Sequence, residues 1–132
     1  TNEEAENTKE VTALEETLFA LQDEIKKGRI RYIGLSNETP WGTMKFLHLA
    51  ENLGLEKFVS VQNPYSLLNR TYEIGMSEIA KYEGIGLLAY SPLAFGYLTG
   101  KFRNSARPEN ARITRFSRFS RYTNPESAAL YA

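Results

Sequence analysis

Three short apolar segments recur along the chain at a nearly constant spacing, and this spacing restricts the possible fold more than any other feature. The segments are Ile30–Leu35, Phe58–Val61 and Ile85–Ala89, so they begin near residues 30, 58 and 85. Each is short and bounded by turn-forming residues, which predicts a β-strand. The strands are apolar without a clean alternation, which is typical of a sheet covered by helices.

The intervals around these strands show the periodicity of amphipathic helices. Thr39 is a predicted N-cap and Pro40 suits the first helical position, while Gly28, Gly54 and Gly84 are predicted helix ends. The apolar positions that recur every three or four residues are Val11, Leu14, Leu18, Leu21 and Ile25, then Met44, Leu47, Ala50 and Leu53, then Tyr72, Met76, Ile79 and Ala80. This alternation predicts an α/β protein with parallel strands, and a doubly wound sheet and a (β/α)8 barrel both fit it.

The composition is that of a soluble globular domain and excludes several functions. Among 132 residues, 42% are hydrophobic and 16 basic residues balance 16 acidic ones. A net charge of zero gives no basis for predicting a nucleic-acid or membrane partner. The longest apolar stretch, around residues 85–90, is too short for a membrane helix and no signal peptide is visible, so we expect a cytoplasmic protein. Because the chain has no cysteine, disulfides, thiolate metal sites and a cysteine nucleophile are excluded, and no metal site is predicted. The chain begins at Thr1 without methionine and ends in a predicted helix, so we expect it to be part of a longer protein.

Polar or aromatic residues follow each predicted strand at its carboxyl end. They are the pairs Ser36-Asn37, Gln62-Asn63 and Tyr90-Ser91. Ligands of parallel α/β proteins bind beside this end of the strands, and neutral amides and hydroxyls suit a carboxamide better than a phosphate. Tyr90 offers a flat face on which a planar ring could stack. The alternative interpretation is that these residues only form turns.

Residues 91–124 break the rhythm of strands and helices. This segment contains one acidic residue, Glu109, and seven basic ones, namely Lys101, Arg103, Arg107, Arg112, Arg115, Arg118 and Arg121. A loop of this length inside a compact domain is usually functional or disordered. Its charge is consistent with attraction of an anion, and equally with a solvated basic loop that binds nothing.

Three ordered motifs coincide with the predicted strands. They are GRIRYIGLSN at Gly28–Asn37, SVQNPYSLLNR at Ser60–Arg70 and LLAYSPLAFGYLTGK at Leu87–Lys101. These resemble, in order, the fifth strand, the exit of the sixth strand, and the seventh strand with its cofactor loop in the aldo-keto reductases. The resemblance covers roughly residues 10–122, and the loop sequence at Ala111–Tyr122 is similar to the bacterial Tas-type subgroup.

The resemblance implies a (β/α)8 barrel, of which residues 1–132 would extend from about the fourth helix to the start of the seventh. It also implies NADP(H) as cofactor and reduction of a small-molecule aldehyde or ketone to an alcohol. By motif position, Ser36, Asn37 and Gln62 would hold the nicotinamide carboxamide. Tyr90 would stack on the nicotinamide ring.

The same resemblance assigns the residues after the third strand to the cofactor. Ser91, Leu93, Phe95 and Gly96 would lie along the pyrophosphate, and the basic loop would fold over the bound dinucleotide. The catalytic tetrad of the family, Asp, Tyr, Lys and His, comes from earlier strands, and none of its motifs is present in this chain. We therefore expect the isolated chain to be inactive, with no catalytic residue of its own. His48 is the only histidine and lies within a helical pattern, which favours a surface role.

The sequence leaves more than one function open. The first interpretation is a segment of an NADP(H)-dependent carbonyl reductase, and the second is a non-catalytic cofactor-binding module similar to potassium-channel β subunits. An unrelated barrel hydrolase would need paired carboxylates at strand ends, and only Glu38 lies near such an end. The substrate, the preference between NADP and NAD, and the oligomeric state do not follow from the sequence.

Overall fold

The computed structural model describes residues 12–119 and 121–122 of the chain. Its main elements, in chain order, are α1 (Leu14–Lys26), β1 (Gly34–Ser36), α2 (Pro40–Asn52), β2 (Ser60–Pro64), α3 (Met76–Glu83), β3 (Gly86–Tyr90) and α4 (Arg112–Arg115). Short 3-10 segments cover Thr71–Glu73, Ala94–Thr99 and Arg103–Ser105. Val11, the first apolar position of the predicted first helix, lies outside the described residues.

The three strands form one parallel sheet in the order β1-β2-β3. The sequence therefore predicted the number, order and direction of the strands correctly. The predicted boundaries are less accurate, because β1 begins at Gly34 rather than Ile30 and β2 begins at Ser60 rather than Phe58. Ile33 and Phe58 precede the paired segments, and their apolar side chains pack into the core instead.

Helix α2 begins at the residues that the sequence indicates. The Thr39 hydroxyl accepts a hydrogen bond from the Gly42 N–H at 3.0 Å, and Pro40 occupies the first helical turn. The Glu38 carboxylate accepts the Thr39 N–H at 2.8 Å, so an acidic group also lies at the positive end of the helix dipole. Helix α3 also ends where the sequence indicates, because Gly84 takes a left-handed backbone conformation there, with φ 70°.

The hydrophobic core lies between the helices and one face of the sheet. Leu18 from α1, Ala50 from α2 and Val61 from β2 are fully buried there. Phe46 and Phe58 pack edge to face with their ring centroids 5.2 Å apart. The helices thus cover one side of the sheet, and the other side stays open among the described residues.

Candidate functional site

The open face of the sheet carries two of the polar residues predicted at the strand ends. The parallel register pairs Ser36 with Gln62, and Gln62 with Leu88, and side chains paired in this way point to the same side of a sheet. All three residues are exposed, whereas Leu35 and Val61, one position earlier, are buried against the helices. Ser36 and Gln62 therefore lie side by side on one face, at the carboxyl ends of neighbouring strands.

Asn37 and Tyr90 are joined across the end of β2. The Tyr90 hydroxyl donates a hydrogen bond to Asn37 Oδ1 at 2.6 Å, and Asn37 Nδ2 donates to Ser36 Oγ at 3.3 Å. Because β1 and β3 each pair only with β2, this contact bridges about two strand spacings of ~4.8 Å. The four side chains from Ser36, Asn37, Gln62 and Tyr90 are consequently grouped at one edge of the sheet.

Asn63 does not join this group, although the sequence placed its amide beside that of Gln62. Its side chain is buried on the helix side, with 7% exposure. There Asn63 Oδ1 accepts the Glu38 N–H at 3.1 Å, and Asn63 Nδ2 donates to the Glu38 carbonyl at 3.0 Å. The physical reason is the alternation of a strand, which places Asn63 on the same side as buried Val61.

The open face is uncharged and carries only small residues at the first position of each strand. Gly34, Ser60 and Gly86 are aligned across the three strands, and a Cβ atom added at Gly34 would lie 2.6 Å from Ser60 Oγ. No strand residue on this face, within the part of the chain that the structure describes, carries a formal charge. Such a surface can receive a flat, neutral group and bind it through hydrogen bonds.

The residues predicted to lie along a pyrophosphate follow β3 in a series of tight turns. Ser91 and Phe95 have left-handed backbones, with φ 53° and 57°, and Gly96 has φ 101°. The Gly96 N–H donates to the Leu93 carbonyl at 2.8 Å, and the Leu93 side chain is exposed. The four predicted residues thus occupy one turn region, at the same end of the sheet as the polar group.

The segment after these turns contains short helical elements, Arg103–Ser105 and α4, and aromatic contacts that the sequence pattern does not indicate. Phe95 packs edge to face against both Phe119 and Tyr122, with ring centroids 5.2 Å apart in each pair. Phe116 and Phe119 extend the cluster at 6.2 Å, and Phe102 is buried nearby in sequence. Aromatic side chains therefore give this basic segment a small apolar centre. Residues 120 and 123–124 of the predicted loop lie outside the described residues.

Several cations of this segment lie over aromatic rings. The Arg118 guanidinium is 5.0 Å from the centroid of Phe119 and 5.6 Å from that of Phe116, and Arg112 is 5.1 Å from Phe119. Lys101 Nζ lies 5.3 Å from the Phe102 ring. Cation–π contacts of this kind fix the direction of a charge without neutralising it. The segment consequently keeps its positive charge available to an anion.

Two polar side chains outside this group make local contacts. His48, the histidine named in the sequence analysis, is exposed on α2, and its Nε2 lies 2.9 Å from Asn52 Nδ2. Asn69 Oδ1 accepts the Thr71 hydroxyl at 2.7 Å and the Thr71 N–H at 3.2 Å, next to the 3-10 turn that follows. Within residues 12–119 and 121–122, no three His, Asp or Glu side chains are grouped so that they could hold a metal ion.

An exposed hydrogen-bond network follows the end of β2 in the chain and joins Tyr65, Arg70 and Glu73. Arg70 Nε and Nη2 donate to the two Glu73 carboxylate oxygens at 2.9 and 2.8 Å, and the Tyr65 hydroxyl donates to Glu73 Oε1 at 2.6 Å. The hydrogen bonds from Tyr65 and Arg70 lower the pKa of the Glu73 carboxyl. Conversely, the hydrogen bond to Glu73, together with desolvation, raises the pKa of the Tyr65 phenol.

We predict that Glu73→Gln lowers the pKa of Tyr65 toward the ordinary tyrosine value of about 10. The neutral side chain still accepts a hydrogen bond but no longer opposes the negative charge of a phenolate. Titration of 13C-labelled tyrosine by NMR, with Tyr65→Phe to assign the signal, measures this pKa. Arg70→Gln is the control and should raise the pKa of Tyr65, because the positive charge of Arg70 lowers that pKa in the wild-type protein. An unchanged pKa in Glu73→Gln would show that the phenol does not contact the carboxylate.

The fold and the grouped side chains define a class, namely parallel α/β proteins with polar side chains grouped at the carboxyl ends of their strands. The profile of the Aldo/keto reductase family matches residues 4–131. The chain therefore belongs to the aldo/keto reductase family, as the resemblance of its motifs predicted. Its three parallel strands with alternating helices represent part of the (β/α)8 barrel of that family, which confirms the predicted fold class.

Individual relatives agree with this assignment. The chain is 54% identical to Protein tas of Escherichia coli K12 over 115 residues. These residues cover 87% of this chain and 33% of that protein. It is 36% identical over 107 residues to L-glyceraldehyde 3-phosphate reductase of Escherichia coli O157:H7, covering 80% of this chain and 30% of that protein. The glycerol dehydrogenase of Gluconobacter oxydans has a similar structure, with TM-score 0.67 and 27% identity over 91% of this chain and 35% of that one. The chain spans about a third of the length of these relatives.

The described part of the chain contains no helix that is both long enough and apolar enough to cross a membrane.

Proposed function

We propose that this chain forms the nicotinamide-binding wall of an NADP(H)-dependent oxidoreductase that reduces aldehydes or ketones to alcohols. One observation carries the proposal: Ser36, Asn37, Gln62 and Tyr90 meet at the carboxyl ends of three adjacent parallel strands. Relatives named as a reductase and as a dehydrogenase support the reaction class. The proposal includes a small-molecule carbonyl substrate and the cytoplasmic location expected from the sequence.

The chemistry of the open face fits a nicotinamide group. The Ser36 hydroxyl and the amides of Asn37 and Gln62 offer both donors and acceptors, which a carboxamide requires at its oxygen and its nitrogen. The Tyr90 hydroxyl is already bonded to Asn37 Oδ1, which leaves the ring as a flat surface held at one end. The aligned residues Gly34 and Gly86 have no side chains that would project from this face of the sheet. A flat heterocycle can therefore approach the strand ends.

The residues of this chain would contribute orientation rather than proton transfer. When bound, the nicotinamide supplies hydride chemistry, and the protein must hold it in a fixed position relative to the carbonyl carbon. Ser36, Asn37 and Gln62 would fix the carboxamide edge, and Tyr90 would fix the face of the ring. We place the general acid outside this segment, in the tetrad that the family derives from its earlier strands.

The turns and the basic segment after β3 would bind the phosphates. Ser91, Leu93, Phe95 and Gly96 lie in consecutive turns at the carboxyl end of the sheet, where backbone N–H groups can meet an anion. The guanidinium groups stacked on Phe116 and Phe119 add positive charge in a defined place. This arrangement favours a dinucleotide over an uncharged heterocycle alone.

Titration of the full-length natural protein with NADPH tests the proposal, with nicotinamide fluorescence as the signal and NADH as the comparison. We expect saturable binding of NADPH, and oxidation of NADPH in the presence of at least one member of a broad aldehyde panel. Binding without turnover across the panel would favour the non-catalytic cofactor-binding module. Absence of binding to either dinucleotide would refute the proposed site.

A further inference from the structure

The backbone pairing of β1 with β2 ends at the residues proposed to hold the carboxamide. The last backbone contact between these strands runs from the Asn37 N–H to the Gln62 carbonyl at 2.9 Å. Asn37 has a left-handed backbone with φ 55°, a conformation that asparagine adopts more readily than most residues. The chain leaves the sheet at this point, so ordinary strand pairing cannot hold the residue that follows.

The Asn63 side chain replaces the missing backbone pairing. Its amide accepts from the Glu38 N–H at 3.1 Å and donates to the Glu38 carbonyl at 3.0 Å. A side-chain amide has the same donor and acceptor as a peptide group, so it extends the ladder by one residue. Asn63 is buried, and both of its polar groups are satisfied by this single partner, as a buried amide requires.

These contacts place Asn37 between two fixed neighbours. Ser36 is held by pairing with β2, and Glu38 is held by Asn63. Asn37 then reaches over the end of β2, where its Oδ1 accepts the Tyr90 hydroxyl at 2.6 Å. The position of the Asn37 side chain, and of the Tyr90 hydroxyl bonded to it, therefore depends on the anchoring of one peptide group in addition to the pairing of β3 with β2.

We infer that Asn63 is a positioning residue, which acts from the helix side of the sheet to hold Asn37 and Tyr90 in place for the nicotinamide end of the dinucleotide. The inference rests on the proposed function. It assigns a role in ligand binding to a residue that would not touch the ligand.

The test separates the nicotinamide from the rest of the cofactor. Affinities for NADPH and for 2′-phospho-ADP-ribose, which lacks the nicotinamide, are measured by calorimetry in the full-length natural protein. The ratio of the two affinities reports the share of binding that the nicotinamide contributes. We expect Asn63→Leu, which keeps the size but neither hydrogen bond, to reduce this ratio by about 2- to 10-fold, because a displaced Asn37 would weaken the contacts to the nicotinamide by about one hydrogen bond. Asn63→Asp keeps the acceptor for the Glu38 N–H and should give a smaller reduction.

Val61→Ala is the matched control for a loss of stability. Val61 lies two positions earlier on the same strand, is fully buried on the same side and has no polar side-chain atom. We expect this variant to unfold at a lower denaturant concentration while the affinity ratio stays at the wild-type value. If Asn63→Leu behaves in the same way, the positioning role is wrong and Asn63 is only structural. If Asn63→Leu does not fold, an unchanged ratio in Asn63→Asp overturns the inference.

A second comparison separates the inference from the proposed function. Ser36→Ala combined with Gln62→Ala removes two of the proposed contacts directly. If this double variant reduces the ratio while the Asn63 variants do not, only the positioning role fails. If the double variant also leaves the ratio unchanged, the proposed carboxamide site itself is wrong.

Discussion

Ser36→Ala combined with Gln62→Ala should weaken NADPH binding by about 5- to 150-fold. The two residues lie side by side on the open face of the sheet and are both exposed, so neither contributes to the core. In the proposed complex they supply two or more hydrogen bonds to the carboxamide, and each such bond is worth about 0.5–1.5 kcal/mol. Their combined loss converts to the stated range of affinities. Fluorescence titration of the full-length natural protein with NADPH measures it.

A control that removes the same chemical groups elsewhere is available in this chain. The Ser77 hydroxyl donates to the Glu73 carbonyl at 3.0 Å, and Gln22 Oε1 accepts the Glu56 N–H at 3.0 Å. Both residues belong to helices, away from the open face. Ser77→Ala combined with Gln22→Ala should leave the NADPH affinity within about twofold of wild type, since substitutions outside a site rarely change it. Equal losses in the two double variants would contradict a specific carboxamide site.

The spacing of strands and helices was sufficient to predict the order and direction of the sheet. It could do so because both periodicities are local properties of the sequence, and a parallel connection of this length requires a helical crossover. The start of α2 was also predictable, since Thr39 and Pro40 each have a local preference for their positions. The start of β1 was not, because Ile30 and Ile33 are apolar for packing rather than for pairing.

The division of the polar strand ends between the two faces was only partly predicted. Treating Gln62 and Asn63 as a pair of ligand-facing amides was wrong for Asn63, although the alternation from buried Val61 contains the necessary signal. The contact between Tyr90 and Asn37 joins residues 53 positions apart in sequence. It depends on the left-handed turn at Asn37 and on the sheet order, and no local pattern reports either of these.

The segment after β3 shows a different limit of sequence analysis. Its seven cations are the only clear signal in the sequence, and they predict a charged loop. The structure shows that Phe95, Phe116 and Phe119 pack with one another and with the guanidinium groups of Arg112 and Arg118. These aromatic residues have no helical or strand periodicity, so their association becomes evident only when the turns around Gly96 bring them together.

The site also depends on how α2 packs against the sheet, because Asn37 and Glu38 lie just before Thr39, the N-cap of this helix. Phe46 lies on α2 with 7% exposure, and its ring packs edge to face on Phe58, just before β2, at 5.2 Å and 65°. We expect Phe46→Ala to reduce the free energy of unfolding by about 3–5 kcal/mol, which is the usual cost of deleting a buried aromatic ring. Phe46→Leu should cost only about 1–1.5 kcal/mol, because an apolar side chain still fills most of the space while the aromatic contact is lost.

Urea unfolding of the full-length natural protein, monitored by circular dichroism, measures the free energy of unfolding of both Phe46 variants. The comparison matters for the site because a helix that is loosely seated on the sheet would no longer present the Glu38 peptide to Asn63. Phe46→Ala should therefore also increase the hydrogen-exchange rate of the Glu38 amide, whose N–H is bonded to Asn63 Oδ1. Phe46→Leu should leave that rate near the wild-type value. A loss below about 1 kcal/mol for Phe46→Ala would mean that α2 does not rest on this aromatic pair, and the anchoring of Asn37 through Glu38 would need another source.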